Sequence, residues 1–251
     1  MAARKFREIA DRVAAEIAGL PPGTRIAGES EIGERFGVGR AAARAALLEL
    51  QRRMLVRRVQ GVGTFTARRI DYLISPNHAP SWSQTVRESG SVPSTVVRSC
   101  EITPMPDDVA GLLGYPPGAP CHLLRRRSFT DDLPAAWGLE WVPTDVVGEL
   151  AVAVQHFGSL HVILRDMAGA EPQRAWSRAS LETTEADVAT ELGCAPGDAA
   201  WLVESLNHDA RTGRLLCLTR RWMRADAVRL IIESGTTPAP PLRSATEPPG
   251  P

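Results

Sequence analysis

Phe36-Gly37-Val38-Gly39-Arg40-Ala41-Ala42-Ala43-Arg44-Ala45-Ala46-Leu47 is the stretch from which the rest of the chain can be read. Just upstream, Glu29 to Phe36 sets Ile32 and Phe36 four residues apart on one helical face, and Gly37 then permits a sharp turn. The next helix repeats Ala43, Ala46, Leu47 and Leu50 as a buried stripe. At about 100° per residue, Arg40 and Arg44 share a face roughly a quarter circle from that stripe, so their guanidinium groups project while the alanines pack. Two helices joined by a glycine turn, the second bearing arginines on its free face, form the pattern of a DNA-reading helix-turn-helix. Arg grips a guanine edge with two hydrogen bonds, or a phosphate through its charge.

The flanks extend the pattern. Leu55-Val56-Arg57-Arg58-Val59 alternates like a strand, Gln60-Gly61-Val62-Gly63 supplies a turn, and Thr64-Phe65-Thr66 returns as a second strand, which together make a wing. Without a Cβ, Gly61 and Gly63 let the wing tip approach a sugar-phosphate backbone closely. Upstream, Phe6, Ile9, Ala10, Val13, Ala14 and Ile17 form a third amphipathic helix, ended by Gly19 and Pro21-Pro22-Gly23.

Residues 4 to 67 resemble the winged helix-turn-helix of the GntR family of bacterial regulators. The resemblance rests on Pro22-Gly23-Thr24-Arg25-Ile26 with Glu29, on Phe36-Gly37-Val38-Gly39-Arg40, and on Gly61-Val62-Gly63-Thr64-Phe65. It implies that Arg40, Arg44 and Gly61 touch DNA, and it places Ser30, Gly39, Ala41, Gln60 and Gly63 on the same surface. Gly28, Gly39 and Ala41 stand where the family usually has phosphate-binding hydroxyls, so fewer phosphate contacts are expected.

The chain's net charge of zero conceals a division. Residues 1–69 hold fourteen Arg or Lys against seven Asp or Glu, a net +7, which leaves fifteen against twenty-two, a net −7, in the remainder. A basic head on an acidic body suits attraction to nucleic acid at one end only. The length of 251 residues supports two domains. Cys100, Cys121, Cys194 and Cys217 lack Cys-x-x-Cys spacing and nearby His pairs, which points to buried thiols in a reducing cytoplasm and to no bound metal. With no run of about 18 apolar residues, no membrane partner is expected.

After residue 70 the chain alternates strands and helices. Strands are predicted at Ser94–Ile102, Cys121–Thr130, Ala135–Val142, Arg174–Thr183, Ala200–Asp209 and Leu215–Met223, with a turn at Asp131-Asp132. Helices are predicted at Asp107–Leu113, Val146–Phe157, Leu160–Ala168 and Glu185–Leu192. The fold class is therefore an α/β two-domain chain with a winged helix-turn-helix and an α+β antiparallel-sheet body. Its expected divisions are a DNA-binding domain at 1–69, a linker at 70–80, an effector-binding and dimerisation domain at 81–234, and a disordered tail at 235–251 that is rich in Pro, Thr, Ser and Gly.

The body resembles the effector-binding (UTRA) domain of the HutC branch of the GntR family, whose fold is similar to that of chorismate lyase. Within that branch it looks most like PhnF-type regulators of phosphonate metabolism, through Ile70-Asp71-Tyr72, Ile74, Ser81-Trp82-Ser83-Gln84, Gly158-Ser159-Leu160-His161 and Leu206-Asn207-His208. In relatives that bind sugar phosphates, an anion sits among small hydroxyls at a helix start and a strand Arg. The resemblance maps these elements onto Trp82 and Ser83, Arg126, Glu140, and the pair Ser159 and His161. Ser128 stands where many relatives carry a second Arg, His161 and Met223 replace Tyr, and Cys217 replaces Glu. Arg221 shares a strand face with Cys217 and Met223 and can supply a displaced positive charge. Ser83 and Ser159 also fit helix caps, and Arg126, within Arg125-Arg126-Arg127, would turn to solvent if the register slipped by one residue.

Three functions follow for comparison. The first is a homodimeric regulator, a repressor of a pseudo-palindromic DNA operator, released when its body binds a small anionic effector and using no cofactor. The second is an effector-free DNA-binding protein with a vestigial pocket. The third is a lyase-like enzyme, disfavoured because no nucleophile–base pair, metal cluster or phosphate-cradling Gly loop stands in the body, so no catalytic residue is assigned.

Overall fold

The computed structural model describes residues 2–59, 61–67, 69–75 and 81–233. Gln60 and the tail from 235 onward lie outside them. The chain divides into two compact units, with the division between Arg69 and Ile70.

In the first unit, α1 (Ala2–Ile17), α2 (Glu29–Phe36) and α3 (Arg40–Arg52) bury a common core of Ile9, Ala10, Val13, Ile17, Ile32, Ala43, Ala46, Leu47 and Leu50. Each apolar stripe recurs every three or four residues, so every helix turns one face inward and leaves the opposite face polar. Glu31 reaches back to accept the Gly28 backbone N–H at 2.7 Å, which fixes the start of α2. Gly37, at φ 61°, closes α2 in the left-handed region, and Gly39 then caps α3 without a side chain. The hairpin β2 (Val56–Val59) and β3 (Gly63–Thr66) is joined by the two-residue β1 (Arg25–Ile26), giving the order β1-β3-β2. Thr66 Oγ1 accepts from Thr24 N at 2.9 Å and donates to the Pro21 carbonyl at 2.8 Å, tying the wing to the loop after α1.

The second unit begins with a correction. Residues 70–74, expected as linker, form the strand β4 (Ile70–Ile74), and 76–80 lie outside the described residues. β4 pairs in parallel with β11 (Val228–Ile232), a strand that local alternation did not reveal. Ile70, Tyr72 and Val228 are buried, and that burial holds so short a parallel pair in place.

The main sheet is antiparallel and six-stranded: β5 (Pro93–Pro104), β6 (Pro120–Thr130), β7 (Leu133–Pro143), β10 (Leu215–Arg224), β9 (Ala199–Asp209) and β8 (Pro172–Thr183), in that spatial order. Because side chains alternate, each cross-strand row lies on one face. The row Leu123, Trp141, Leu218, Leu206 packs beneath α5 (Asp107–Leu113), while Trp137 and Trp222 meet α8 (Ala186–Leu192). The opposite face carries Leu124 and Val142 against α6 (Leu150–His156) and α7 (Leu160–Asp166), and Ala136 and Met223 against β4, β11 and α4 (Trp82–Glu88). Helix α6 starts four residues later than its periodicity suggests, because Val146 and Val147 both donate to the Pro143 carbonyl in a turn. All four cysteines are unpaired; Cys121 and Cys217 are buried, and Cys100 and Cys194 are partly so.

Candidate functional site

The first unit presents a cationic face. Arg40 and Arg44 are both exposed, one turn apart on α3, Arg40 with 85% of its side chain accessible. Glu29, near the start of α2, holds two arginines from different elements. Its Oε1 accepts from Arg58 Nη2 at 2.7 Å, and its Oε2 accepts from Arg40 Nε at 3.4 Å. Partial burial would raise the Glu29 pKa, but the bonds from Arg58 and Arg40 outweigh it and hold the carboxyl below its ordinary value. One carboxylate thus orients an arginine of the second helix and one of the wing. Ser30 and Ala41 are exposed nearby in sequence, and Gly39 is the α3 cap.

Gly61 and Gly63 have φ of 75° and 146°, a region that L residues rarely adopt, so the wing turn depends on glycine. A Cβ on Gly63 would stand 3.2 Å from Arg25 Nε. Gln60, expected on the same surface, lies outside the described residues. Sequence reasoning missed Arg58 as a partner of this face. Its signal was the alternation Val56-Arg57-Arg58-Val59, which puts Arg57 and Arg58 on opposite sides of β2.

The second unit holds a polar pocket on the α7 side of the sheet. Arg126 on β6 and Arg221 on β10 both stand opposite Gly138 of β7, and both reach the same atom: Glu140 Oε1 accepts from Arg126 Nη2 at 2.7 Å and from Arg221 Nη2 at 2.9 Å. A Cβ at Gly138 would rest 3.7 Å from Arg221 Nε, an ordinary contact, so the convergence does not depend on glycine there. The cluster is buried, with side-chain accessibility of 1% for Glu140 and 9% for each arginine. Two buried guanidinium groups on one carboxylate leave an excess of positive charge where desolvation is costly.

Arg126 also donates to the Gly158 carbonyl at 3.3 Å, just before α7. Arg221 Nη1 donates to the Tyr72 hydroxyl at 3.3 Å, and Arg174 on β8 donates to the same oxygen at 3.2 Å. Burial raises the Tyr72 pKa, but Arg174 and Arg221 outweigh that effect and hold the phenol below its ordinary value. His161 on α7 lines the pocket and has its pKa lowered by burial, then by Arg165 and Arg174, so it is held towards its neutral form. Cys217 is pushed up to about 12 by burial and by Glu140, and is a thiol rather than a nucleophile at neutral pH. The cavity among these groups is about 30 Å³, enough for a water or two.

Of the residues expected at this site, Arg126, Glu140, His161 and Arg221 are brought together, and four are not. Trp82 packs against Tyr72, their ring centroids 6.2 Å apart, and its indole N–H donates to the Phe129 carbonyl at 3.2 Å. Ser83 is the second residue of α4, and the cap is Ser81, whose Oγ accepts from Gln84 N. Ser128 is buried on the Arg126 face of β6, but away from the cavity lining. Ser159 occupies the α7 cap position without a side-chain bond. Sequence reasoning missed Tyr72, Arg174 and Asn207 as lining residues. Tyr72 and Asn207 stood inside the strings that carried the family resemblance.

Among the described residues, no group of His, Cys, Asp and Glu could hold a metal ion, and no helix is long and apolar enough to cross a membrane. Residues 5–66 match the family model described as bacterial regulatory proteins, gntR family, and residues 88–229 match the UTRA domain model. An HTH-type transcriptional regulator of Rhizobium meliloti is 30% identical over 241 residues, covering 91% of this chain and 94% of that protein. The mannosyl-D-glycerate transport/metabolism system repressor MngR of Escherichia coli is 27% identical over 161 residues, covering 63% of this chain and 66% of its own. The crystal structure of PhnF from Mycobacterium smegmatis superposes with a TM-score of 0.63 at 22% identity, covering 91% of this chain and all of that one, which shows a shared fold.

Proposed function

Because the chain belongs to the gntR family of bacterial regulatory proteins and carries a UTRA domain, we propose that it is a homodimeric repressor, released from its operator when a small oxyanion enters the Arg126–Glu140–Arg221 pocket. It is a transcriptional regulator and not an enzyme. The repressor reading draws support from its similarity to the repressor MngR, and the cytoplasmic location from the protein's task on DNA. Two copies of the exposed α3 face would read a pseudo-palindromic site in neighbouring major grooves.

The observation that carries the proposal is the convergence of two buried guanidinium groups on one oxygen of Glu140. One negative charge serves two cations there, Arg126 Nε is buried without a hydrogen-bond partner, and a second anion improves the balance. An oxyanion that accepts hydrogen bonds from Arg126 and Arg221 competes with their present partners. Those partners include Gly158, just before α7, and Tyr72, on the strand that follows Arg69 in the chain. Ligand binding therefore has a mechanical outlet. A ligand that favours the released arrangement by about 1–3 kcal/mol would lower operator affinity roughly 5–150-fold.

The test is Arg126→Ala, with an operator selected from genomic DNA fragments. The variant should bind that operator as the parent does and lose release by phosphonates, phosphate esters and carboxylates that release the parent. A variant that still responds normally would take Arg126 out of the pocket's function. A parent protein that no oxyanion releases would favour a ligand-independent regulator.

A further inference from the structure

The six-stranded sheet ends in two edge strands, and they are guarded differently. At β5, prolines stand at both ends, Pro93 and Pro104, and a bulge between Val97 and Ser99 breaks the register with β6. Arg98, inside that bulge, donates from Nε to Glu191 Oε2 on α8 at 3.1 Å. Proline, a bulge and a tethered charge are means by which an edge is kept from pairing with another chain. At β8 the bulge lies near the start, between Arg174 and Trp176, and residues 177–183 then run in unbroken register with β9. That run holds no Pro and no Gly. Its residues from Arg178 onward are exposed, Leu181 at 57%, and among the described residues β9 is the strand it pairs with. The N–H and C=O groups on its other side form an open template for a further strand.

The side chains of this run fit a second copy of itself. Arg178, Ser180 and Glu182 lie on the face of Glu204 and Leu202, and Ala179 and Leu181 lie on the opposite face. Two copies related by a two-fold axis pair antiparallel, and each face must meet its like, so the axis falls on a residue. Centred on Arg178 or on Glu182, the pairing sets like charges against each other. Centred on Ala179 or on Leu181, it spends both charges on Ser180 or on residues outside the run. Centred on Ser180, it sets Arg178 against the partner's Glu182 twice over, Ala179 against the partner's Leu181, and Ser177 against the partner's Thr183.

Both charged groups have atoms to spare for this. Arg178 turns Nε and Nη2 to Glu204 Oε1, which leaves Nη1 without a partner among the described residues. Ser180 Oγ donates to Glu182 Oε1 at 2.7 Å, which leaves Oε2 open. Glu182 also shares a groove with Glu185 and Asp187, against Arg125 as the one cation of its lining, so an arriving guanidinium meets a net negative surface. Exposed ion pairs add little affinity, so here they select the register, while about six to eight backbone hydrogen bonds along the run and the covering of Leu181 hold the copies together.

We propose that two copies of this chain join along β8, antiparallel and centred on Ser180, so that their sheets become one continuous sheet. This rests on the homodimer proposed above and assigns the surface that makes it.

The experiment is sedimentation velocity on the full chain at low salt, with Arg178→Glu, Glu182→Arg and the two substitutions combined. Each single substitution sets like charges against each other at both ends of the pairing and should raise the dimer's dissociation constant at least about tenfold. The combined exchange makes the charges opposite again and should return the constant to within about threefold of the parent. Thermal midpoints report on folding. Ser180→Cys gives an independent reading: the axis brings the two copies of this residue face to face with Cα atoms about 5 Å apart, so mild oxidation should yield a disulfide-linked dimer that neither the parent nor Leu181→Cys forms. Single variants that fold and dimerise as the parent does overturn the proposal, as does a Ser180→Cys protein that does not cross-link, and in either case the homodimer is built on another surface. A parent that sediments as a monomer instead overturns the homodimer reading itself.

Discussion

Glu29 and Glu140 solve one problem in two environments. Each is a single carboxylate shared by two arginines brought from different elements: Arg40 and Arg58 for Glu29, Arg126 and Arg221 for Glu140. Around Glu29, the Arg40 side chain is 85% accessible, so water screens that arm and its rupture costs little, while Arg58, at 32%, is more covered. Around Glu140 no comparable solvent is present, and the same contacts can be given up only if something equally charged replaces them. The exposed cluster is suited to releasing its arginines to phosphates and base edges. The buried one holds its arginines in place, as the anion-released function proposed above requires. The difference lies in dielectric surroundings, not in residue type.

That contrast can be broken by mutation, and the largest effect should come from the buried cluster. Glu140→Ala leaves Arg126 and Arg221 buried without their shared carboxylate, and should destabilise the second unit by about 3–5 kcal/mol, read as a lowered denaturant midpoint. A loss below about 1 kcal/mol would mean that water already screens the site and that the contrast is wrong. Next comes Arg44→Ala, which removes a projecting guanidinium from α3 and should weaken specific operator binding by about 1–3 kcal/mol at fixed salt, with the body still folded. Unchanged affinity would confine DNA reading to other residues.

The smallest effect on stability should come from Glu29→Gln, at no more than about 1 kcal/mol near neutral pH. Its effect on DNA should be plainer. Freed from Glu29, Arg40 and Arg58 add to non-specific attraction, so the ratio of specific to non-specific affinity falls. An unchanged ratio would make Glu29 a fold element only. Acid tests the same residue. Its folded pKa lies below the ordinary 4.5, so its contribution is present above that value and is lost as pH falls through the depressed one. Glu49, held down to about 2 by Arg52 and then Arg53, is common to parent and variant, so a steeper decline of the parent than of Glu29→Gln below about pH 4.5 reports Glu29 alone.

The first unit was legible in the sequence because its determinants are local. The Ile32/Phe36 spacing, the turn at Gly37, the stripe through Ala43, Ala46, Leu47 and Leu50, and the Gly61–Gly63 hairpin are each settled within a few residues. The body's sheet was legible strand by strand, since alternation marks where a strand lies and which face a residue takes. Alternation put Arg221 on the face of Cys217 and Met223, whereas Arg126 and Glu140 were placed by the family resemblance. Which residues of distant strands complete that face depends on register, and bulges between Arg174 and Trp176 and between Leu215 and Cys217 reset it. Arg174 and Asn207 were hidden for that reason. Ser83 and Ser159 lie off the lining of this cavity, and a serine near a helix start reads alike in sequence whether it caps the helix or binds a ligand. The strand at 70–74 was hidden because its partner lies at 228–232.

That last pairing bears on how the protein is made. Synthesis runs from the N-terminus, so α1, α2, α3 and the wing can fold while the ribosome is still translating the sheet. β4 follows at once but must wait for a partner that emerges more than 150 residues later, after every strand of the main sheet. Tyr72 waits with it, and so do its bonds to Arg174 and Arg221. The nascent chain thus completes its helix-turn-helix unit first and the Tyr72 bonds to Arg174 and Arg221 last, so the proposed switch would exist only in a completed chain.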